Sequence, residues 1–215
     1  MPAPTHPDLL PGHVYRTRDL SVWGANAPRL AERLVREGVL VRLAHGLFSH
    51  PRYGRFGVLP PSDEELMRAF LDGGSFVFTG PERWNALGLG ATAVFASSLV
   101  YNTKRSGTFN LGERTFVLRR VAFPAKPPPE WFVVDLFENA DQAGATHADL
   151  AAALSRALGR RNFNRTRLRK MAMGYGTHIT QALIEASIGA SNRKEFRDKK
   201  RTLRTSRKRI RGKER

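Results

Sequence analysis

Residues 12–49 read GHVYRTRDLSVWGANAPRLAERLVREGVLVRLAHGLFS. Val14-Tyr15-Arg16 is a short extended piece, and Thr17 is placed to cap a short helix from Arg18 to Val22. Trp23-Gly24-Ala25 turns the chain. Asn26 is a second N-cap, and Pro28 falls in the first turn, where a missing N–H does little harm. A helix from Ala27 to Glu37 then points Leu30, Leu34 and Val35 toward a core, with Arg29, Glu32, Arg33 and Arg36 pointing elsewhere. Gly38 is its stop. Two β-like runs follow, Val39 to Leu43 and Leu47 to Ser49, joined by the tight turn Ala44-His45-Gly46. A short helix, a turn, an Arg-bearing helix and a hairpin follow in the order of a winged helix-turn-helix.

That order suits DNA reading. The second helix can enter the major groove, where arginine matches guanine edges. Asn26, Ala27 and Arg29 lie at its leading end, and Arg33 is about one turn further along. Arg36, near the far end, is placed for a phosphate. Arg42 and His45 of the hairpin would reach a neighbouring groove or the backbone, and Arg18 would clamp a phosphate and fix register. The alternative is a protein-docking module whose arginines are merely solvated.

Charge favours a polyanionic partner. Lys plus Arg is 36 and Asp plus Glu is 19, a net of +17. The excess is local. Arg193–Arg215 holds 13 basic and 3 acidic residues, and Arg160–Lys170 holds 6 basic and none acidic. The rest of the chain is nearly neutral. The tail reads either as a nucleic-acid arm, each cation releasing counterions from a phosphate, or as a solvated end. Arg160, Arg161, Arg165, Arg167, Arg169 and Lys170 read as a second phosphate-contacting face, a docking face for an acidic partner, or a solvated face. Phe163 among them could stack on a base.

Downstream, Ser62 and Glu65 form a capping box for a helix carrying Leu66, Met67, Phe70 and Leu71. Phe76-Val77-Phe78 reads as a short buried strand, and Pro81 opens a short helix. Leu99–Thr103, Thr108–Leu111 and Arg114–Val121 read as strands, with Gly112-Glu113 turning between the last two. Trp131–Phe137 is apolar, and periodicity leaves strand and helix open. Thr146 caps a helix from His147 to Leu158, and Asn164 or Thr166 caps another. A last helix, from Thr177 or His178 to Ile188, turns Ile179, Leu183 and Ile184 inward, and Gly189 ends the compact body. The expected fold is α+β: a winged helix-turn-helix over 1–75, a mixed strand and helix domain over 76–191, and a basic tail over 192–215.

The spacing of Leu30, Leu34, Gly38, Arg42, Gly46 and Phe48 resembles the winged-helix signature of AbiEi-type antitoxins. Asn85-Ala86-Leu87-Gly88-Leu89 and Val100-Tyr101-Asn102-Thr103 are similar to that family's middle segment, as are Leu168–Ala172 and Gly174-Tyr175-Gly176 further on. The resemblance runs over about residues 12 to 190. It implies an antitoxin paired with a nucleotidyltransferase toxin. It also implies binding to inverted repeats before its own operon, repression through the N-terminal winged helix, and a C-terminal domain associated with neutralising the toxin. The basic tail lies outside the pattern.

Other classes find little footing. There is no Cys, which removes disulfides, Fe–S clusters and thiol nucleophiles. The six His are scattered without the spacing of a metal site, so neither metal nor cofactor is expected, and no catalytic residue is assigned. Leu87-Gly88-Leu89-Gly90 lacks the Lys-Ser/Thr of a P-loop. No apolar run is long enough to span a membrane, and the N-terminus has no basic, apolar leader, so a cytoplasmic protein is expected. The expected function is a DNA-binding repressor and antitoxin rather than an enzyme. The alternatives are an RNA-binding protein using the tail and the 160–170 cluster, and a toxin-docking module that never touches DNA.

Overall fold

The structure, a computed structural model, describes residues 7–211, with side chains through Arg197 and at Lys200. Residues 1–6 and 212–215, and most side chains of the basic tail, therefore lie outside the described part. The fold is α+β and divides into two compact units. One takes the chain through Phe78 together with Ala96–Val121, and the other takes Thr79–Phe95 and the chain from Ala122 onward.

The first unit begins with strand β1 (Val14–Arg16), a 3-10 helix η1 (Thr17–Trp23), helix α1 (Ala27–Arg36) and strands β2 (Val41–Ala44) and β3 (Leu47–Ser49). The strands form an antiparallel sheet in the order β1-β3-β2. The short first helix is a 3-10 turn whose cap is Arg16, not Thr17. The Asp19 carboxylate accepts from the Arg16 N–H at 2.8 Å, which fixes the start one residue earlier than expected. Helix α1 follows the sequence closely. Ala27, Leu30, Ala31 and Leu34 are buried, and Gly38 leaves the helix at φ +72°, a conformation open to glycine.

Alternation along the strands gives this small sheet two buried faces. Tyr15 and Phe48 are paired in register and pack with Leu20, Leu30, Leu34 and Leu40 on the side of η1 and α1. Val14 and Leu47 face the other way, into a cluster with Leu66, Met67, Val100, Phe116 and Leu118. Those partners come from helix α2 (Asp63–Phe70) and from a sheet of β6 (Phe76–Thr79), β7 (Ser98–Asn102), β8 (Gly107–Leu111) and β9 (Arg114–Arg120). Its order is β6-β7-β9-β8, with β7 parallel and β8 antiparallel to β9. The Gly112 N–H donates to the Leu43 carbonyl at 2.8 Å, tying the β8–β9 turn to β2. This corrects the boundary expected at residue 75. The back of the first sheet needs an apolar cover, and β7–β9 supply it from beyond that boundary. Between β3 and α2 lies a hairpin, β4 (Arg52–Gly54) and β5 (Gly57–Leu59).

The second unit is helical: α3 (Pro81–Ala86), α4 (Pro129–Glu138), α5 (His147–Gly159), α6 (Arg165–Tyr175) and α7 (His178–Arg211). Trp131–Phe137, open between strand and helix, lies in α4, with Pro129 in the first turn and burial on nearly every side. Asp135 is buried within it. Its carboxylate accepts from Thr79 Oγ1 and from Trp84 Nε1 at 2.7 Å, and from Asn139 Nδ2 at 3.0 Å. Thr146 and Asn164 cap α5 and α6 as expected. Helix α7 differs from expectation in two ways. Ile179 is exposed rather than inward, and the helix does not stop near Gly189. Ser187, Ile188 and Ser191 are buried, and α7 packs along α5, so the helix has a partner past the glycine. No helix among the described residues is long and apolar enough to cross a membrane.

Candidate nucleic-acid interface

Helix α1 sets the geometry. Asn26 Oδ1 accepts from the Arg29 N–H at 3.1 Å, so this side chain serves as the cap that fixes the helix start. Ala27 is buried with Leu30 and Leu34 and offers no surface to a ligand, which corrects its place in the expected reading set. Arg29, Arg33 and Arg36 are exposed, and their spacing of four and three residues puts them in one stripe. Arg33 Nε stands 3.9 Å from Glu37 Oε1, a loose pair. Arg29 and Arg36 have no side-chain partner among the described residues. The stripe is thus a row of solvated cations on a helix whose opposite side is locked into a core.

Arg18 is placed differently from expectation. It is ion-paired with Asp72 and lies 3.7 Å from Asp19, while Arg16 Nη1 reaches the other Asp72 oxygen at 3.0 Å. The hydrogen bond from Arg18, with the nearby charges of Arg16 and Arg18, holds the Asp72 carboxyl below the usual carboxylate range. The same bond raises the Arg18 guanidinium above its ordinary value. Asp72 itself adopts φ +51° just after α2, and its carbonyl accepts from Lys104 Nζ at 2.8 Å. Arg18 is therefore engaged in tying η1 to the end of α2. Arg42 is exposed with its guanidinium 5.5 Å from the Phe48 ring centre, opposite its register partner. His45 is exposed at the β2–β3 turn.

Half of the second basic surface is paired within the protein. Arg165 bonds Glu195 and, at 3.1 Å, Ser191 Oγ. Arg167 Nη1 lies 3.7 Å from the buried Glu130 carboxylate. Arg169 makes two bonds to Glu185, at 2.6 and 3.2 Å, and this raises its pKa. Arg160, Arg161 and Lys170 remain exposed without a side-chain partner among the described residues. Lys126, Arg167 and Lys170 line an open depression of about 570 Å³ beside the start of α6. Phe163 is buried, which corrects the expectation that it could stack on a base. Helix α7 carries Arg193, Lys194, Arg197 and Lys200 exposed along its extension.

The hairpin β4–β5 escaped the sequence reading although a signal was there. Arg52-Tyr53-Gly54 and Arg55-Phe56-Gly57 repeat a cation, an aromatic and a glycine, and Gly57 takes φ +116° after the two-residue tip. Among the described residues, no group of three or more His, Asp or Glu side chains is arranged to hold a metal ion.

No protein-family model matches the chain, and no curated protein matches it. Among solved structures, the chain is similar to the crystal structure of the RV2827C protein from Mycobacterium tuberculosis. The TM-score is 0.51 at 16% sequence identity, over 83% of this chain and 72% of that one. At that identity the likeness is one of fold.

Proposed function

We propose that the chain is a DNA-binding transcriptional repressor that serves as the antitoxin of a toxin–antitoxin pair in the cytoplasm. In this reading β1, η1, α1 and the β2–β3 hairpin form a winged helix-turn-helix. The observation that carries it is the stripe of Arg29, Arg33 and Arg36 on α1. These cations are exposed, and the helix bearing them is capped by Asn26 and anchored by Leu30 and Leu34. A fixed helix with solvated arginines on its outer side is what direct reading of guanine edges requires. Arg29 and Arg33 take base edges. Arg36 takes a phosphate, and Arg42 and His45 take the adjacent backbone. Repression follows by occluding the promoter, and the partner toxin is a nucleotidyltransferase, as the AbiEi-type resemblance implies. The chain acts by binding, not by catalysis.

The test is a mobility-shift titration on the DNA upstream of its own gene, with unrelated duplex as control. Replacing Arg29 or Arg33 with Ala is expected to weaken binding to the upstream DNA roughly fivefold to a hundredfold while leaving control binding nearly unchanged. Equal affinity of the parent protein for both DNAs would overturn sequence reading by α1. Pull-down of a neighbouring nucleotidyltransferase tests the antitoxin half separately. The RNA-binding alternative loses ground at the 160–170 cluster, because Arg165, Arg167 and Arg169 already face carboxylates.

A further inference from the structure

The β4–β5 hairpin carries the largest exposed aromatic surface of the first unit. Phe56 is 95% exposed at its tip and Tyr53 is 72% exposed beside it. Tyr53 pairs in register with Val58, itself 57% exposed, so both project from one face. The Arg55 guanidinium sits 5.7 Å from the Phe56 ring centre, and Arg52 is exposed at the root. That root is firm. The Gly12 N–H donates to the His50 carbonyl at 2.8 Å, the His50 N–H donates to the His13 carbonyl at 3.0 Å, and Pro51 is buried. The hairpin follows β3 at the end away from the His45 turn, and it carries none of the residues assigned to duplex DNA.

We infer that this hairpin is a stacking platform for single-stranded DNA, with Tyr53 and Phe56 taking base faces and Arg52 and Arg55 taking phosphates. Aromatic rings interleaved with cations are the combination that holds unpaired bases, since every base has a π-face and every linkage a charge. Charge excludes the nearest competitor. No Asp or Glu occurs between Glu37 and Asp63, so docking the hairpin on its own copy would set Arg52 and Arg55 against like charges. A duplex is disfavoured because its bases are already stacked, and a ribbon reading the major groove needs polar side chains where Tyr53, Phe56 and Val58 stand. Apart from the Tyr53 phenol oxygen, Arg52–Leu59 holds no side-chain acceptor for a 2′-hydroxyl, so the hairpin offers little with which to select RNA over DNA.

The experiment uses the full chain and measures fluorescence anisotropy with labelled oligothymidine, oligouridine and the duplex upstream of its own gene over a salt series. Tyr53→Ala and Phe56→Ala are each expected to weaken oligothymidine binding roughly fivefold to a hundredfold. The salt slope should stay unchanged, because the tail and the arginines still supply the phosphate attraction. Duplex affinity should stay at the parent value, and Phe56→Trp should keep oligothymidine binding. Arg29→Ala with Arg33→Ala should show the converse, losing duplex and keeping oligothymidine, so this inference and the repressor reading fail separately. Unchanged oligothymidine affinity in both alanine variants would overturn the platform, as would a parallel loss of duplex binding. Phe56-dependent binding that is tighter for oligouridine would move the site to RNA and overturn the DNA assignment. A self-associating parent that becomes monomeric in Phe56→Ala would make the hairpin a protein interface instead.

Discussion

Arg18 donates to the Asp72 carboxylate across 54 residues of chain, joining η1 to the turn after α2. Arg16 meets the same carboxylate from the end of β1. The pairing decides what Arg18 is free to do. A cation already facing an anion releases few counterions when DNA arrives. Arg18→Ala should therefore leave the slope of log affinity against log salt unchanged, where loss of a phosphate contact would reduce it by about 0.9. Arg36→Ala, which removes a cation without a partner, should reduce it by that amount. The check is anisotropy on one duplex at several salt concentrations.

The same pair sets an acid dependence. The Asp72 carboxyl is held below its ordinary value of 3.8 by Arg18 and Arg16, so it binds protons less readily folded than unfolded. Its contribution to stability is then full above the ordinary carboxylate range and is lost as pH falls through the lowered folded value. Asp72→Asn should lower the unfolding midpoint by a constant small amount near neutral pH, and the gap to the parent should close in strong acid. Added salt should shrink the gap at every pH, because the pair is solvent-exposed. Urea melts across the acid range measure both effects. A gap that widens on acidification would reverse the sign and remove the pair as its cause.

Asn26 separates structure from recognition. Its side-chain oxygen caps α1 through the Arg29 N–H. Asn26→Ala should destabilise the first unit by about 1 kcal/mol. Asn26→Asp keeps the capping oxygen and adds a negative charge where the helix dipole favours one, so stability should be retained. The same charge at the leading end of the Arg29 stripe should weaken DNA binding. Stability that falls in both variants alike would mean that the amide nitrogen, not the oxygen, carries the contribution. Thermal melts and a titration on the upstream duplex read the two effects apart.

Local signals made much of the first unit legible. The Asn26 cap, Pro28, Gly38 and the Leu30–Leu34 spacing each act within a turn or two of chain, and each appears where expected. What escaped depends on distant partners. Nothing near Val14 or Leu47 tells that their side of the sheet is covered by Val100, Phe116 and Leu118. Arg18 reads as a clamp because Asp72 is far away in sequence, and Arg165, Arg167 and Arg169 read as free because Glu195, Glu130 and Glu185 come from other helices. Ala27 was misread for a different reason. Position along a helix fixes direction only when the core side is known, and the first residue of α1 turns toward Leu30 and Leu34. The hairpin at Tyr53 and Phe56 was overlooked because its strands are three residues each, too short for alternation to stand out.

Asp135 tests the second unit in the same spirit. Its carboxylate is the shared acceptor for Thr79 Oγ1, Trp84 Nε1 and Asn139 Nδ2, and both it and Trp84 are buried. Asp135→Ala removes the acceptor and leaves donors in an apolar setting, each unsatisfied group worth about 1–3 kcal/mol. The loss should far exceed that of the Asn26 cap. Asp135→Asn keeps one acceptor oxygen and should recover part of the loss, because Trp84 Nε1 can still donate to it. Tryptophan emission, to which Trp23 and Trp131 also contribute, reports the difference. The Trp84 share of it should shift to longer wavelength in the alanine variant as water reaches the indole, and stay near the parent in the asparagine variant. An alanine variant with parent stability and parent emission would mean that the Trp84 indole has another acceptor within reach, and the shared carboxylate would not be what holds α3 against α4.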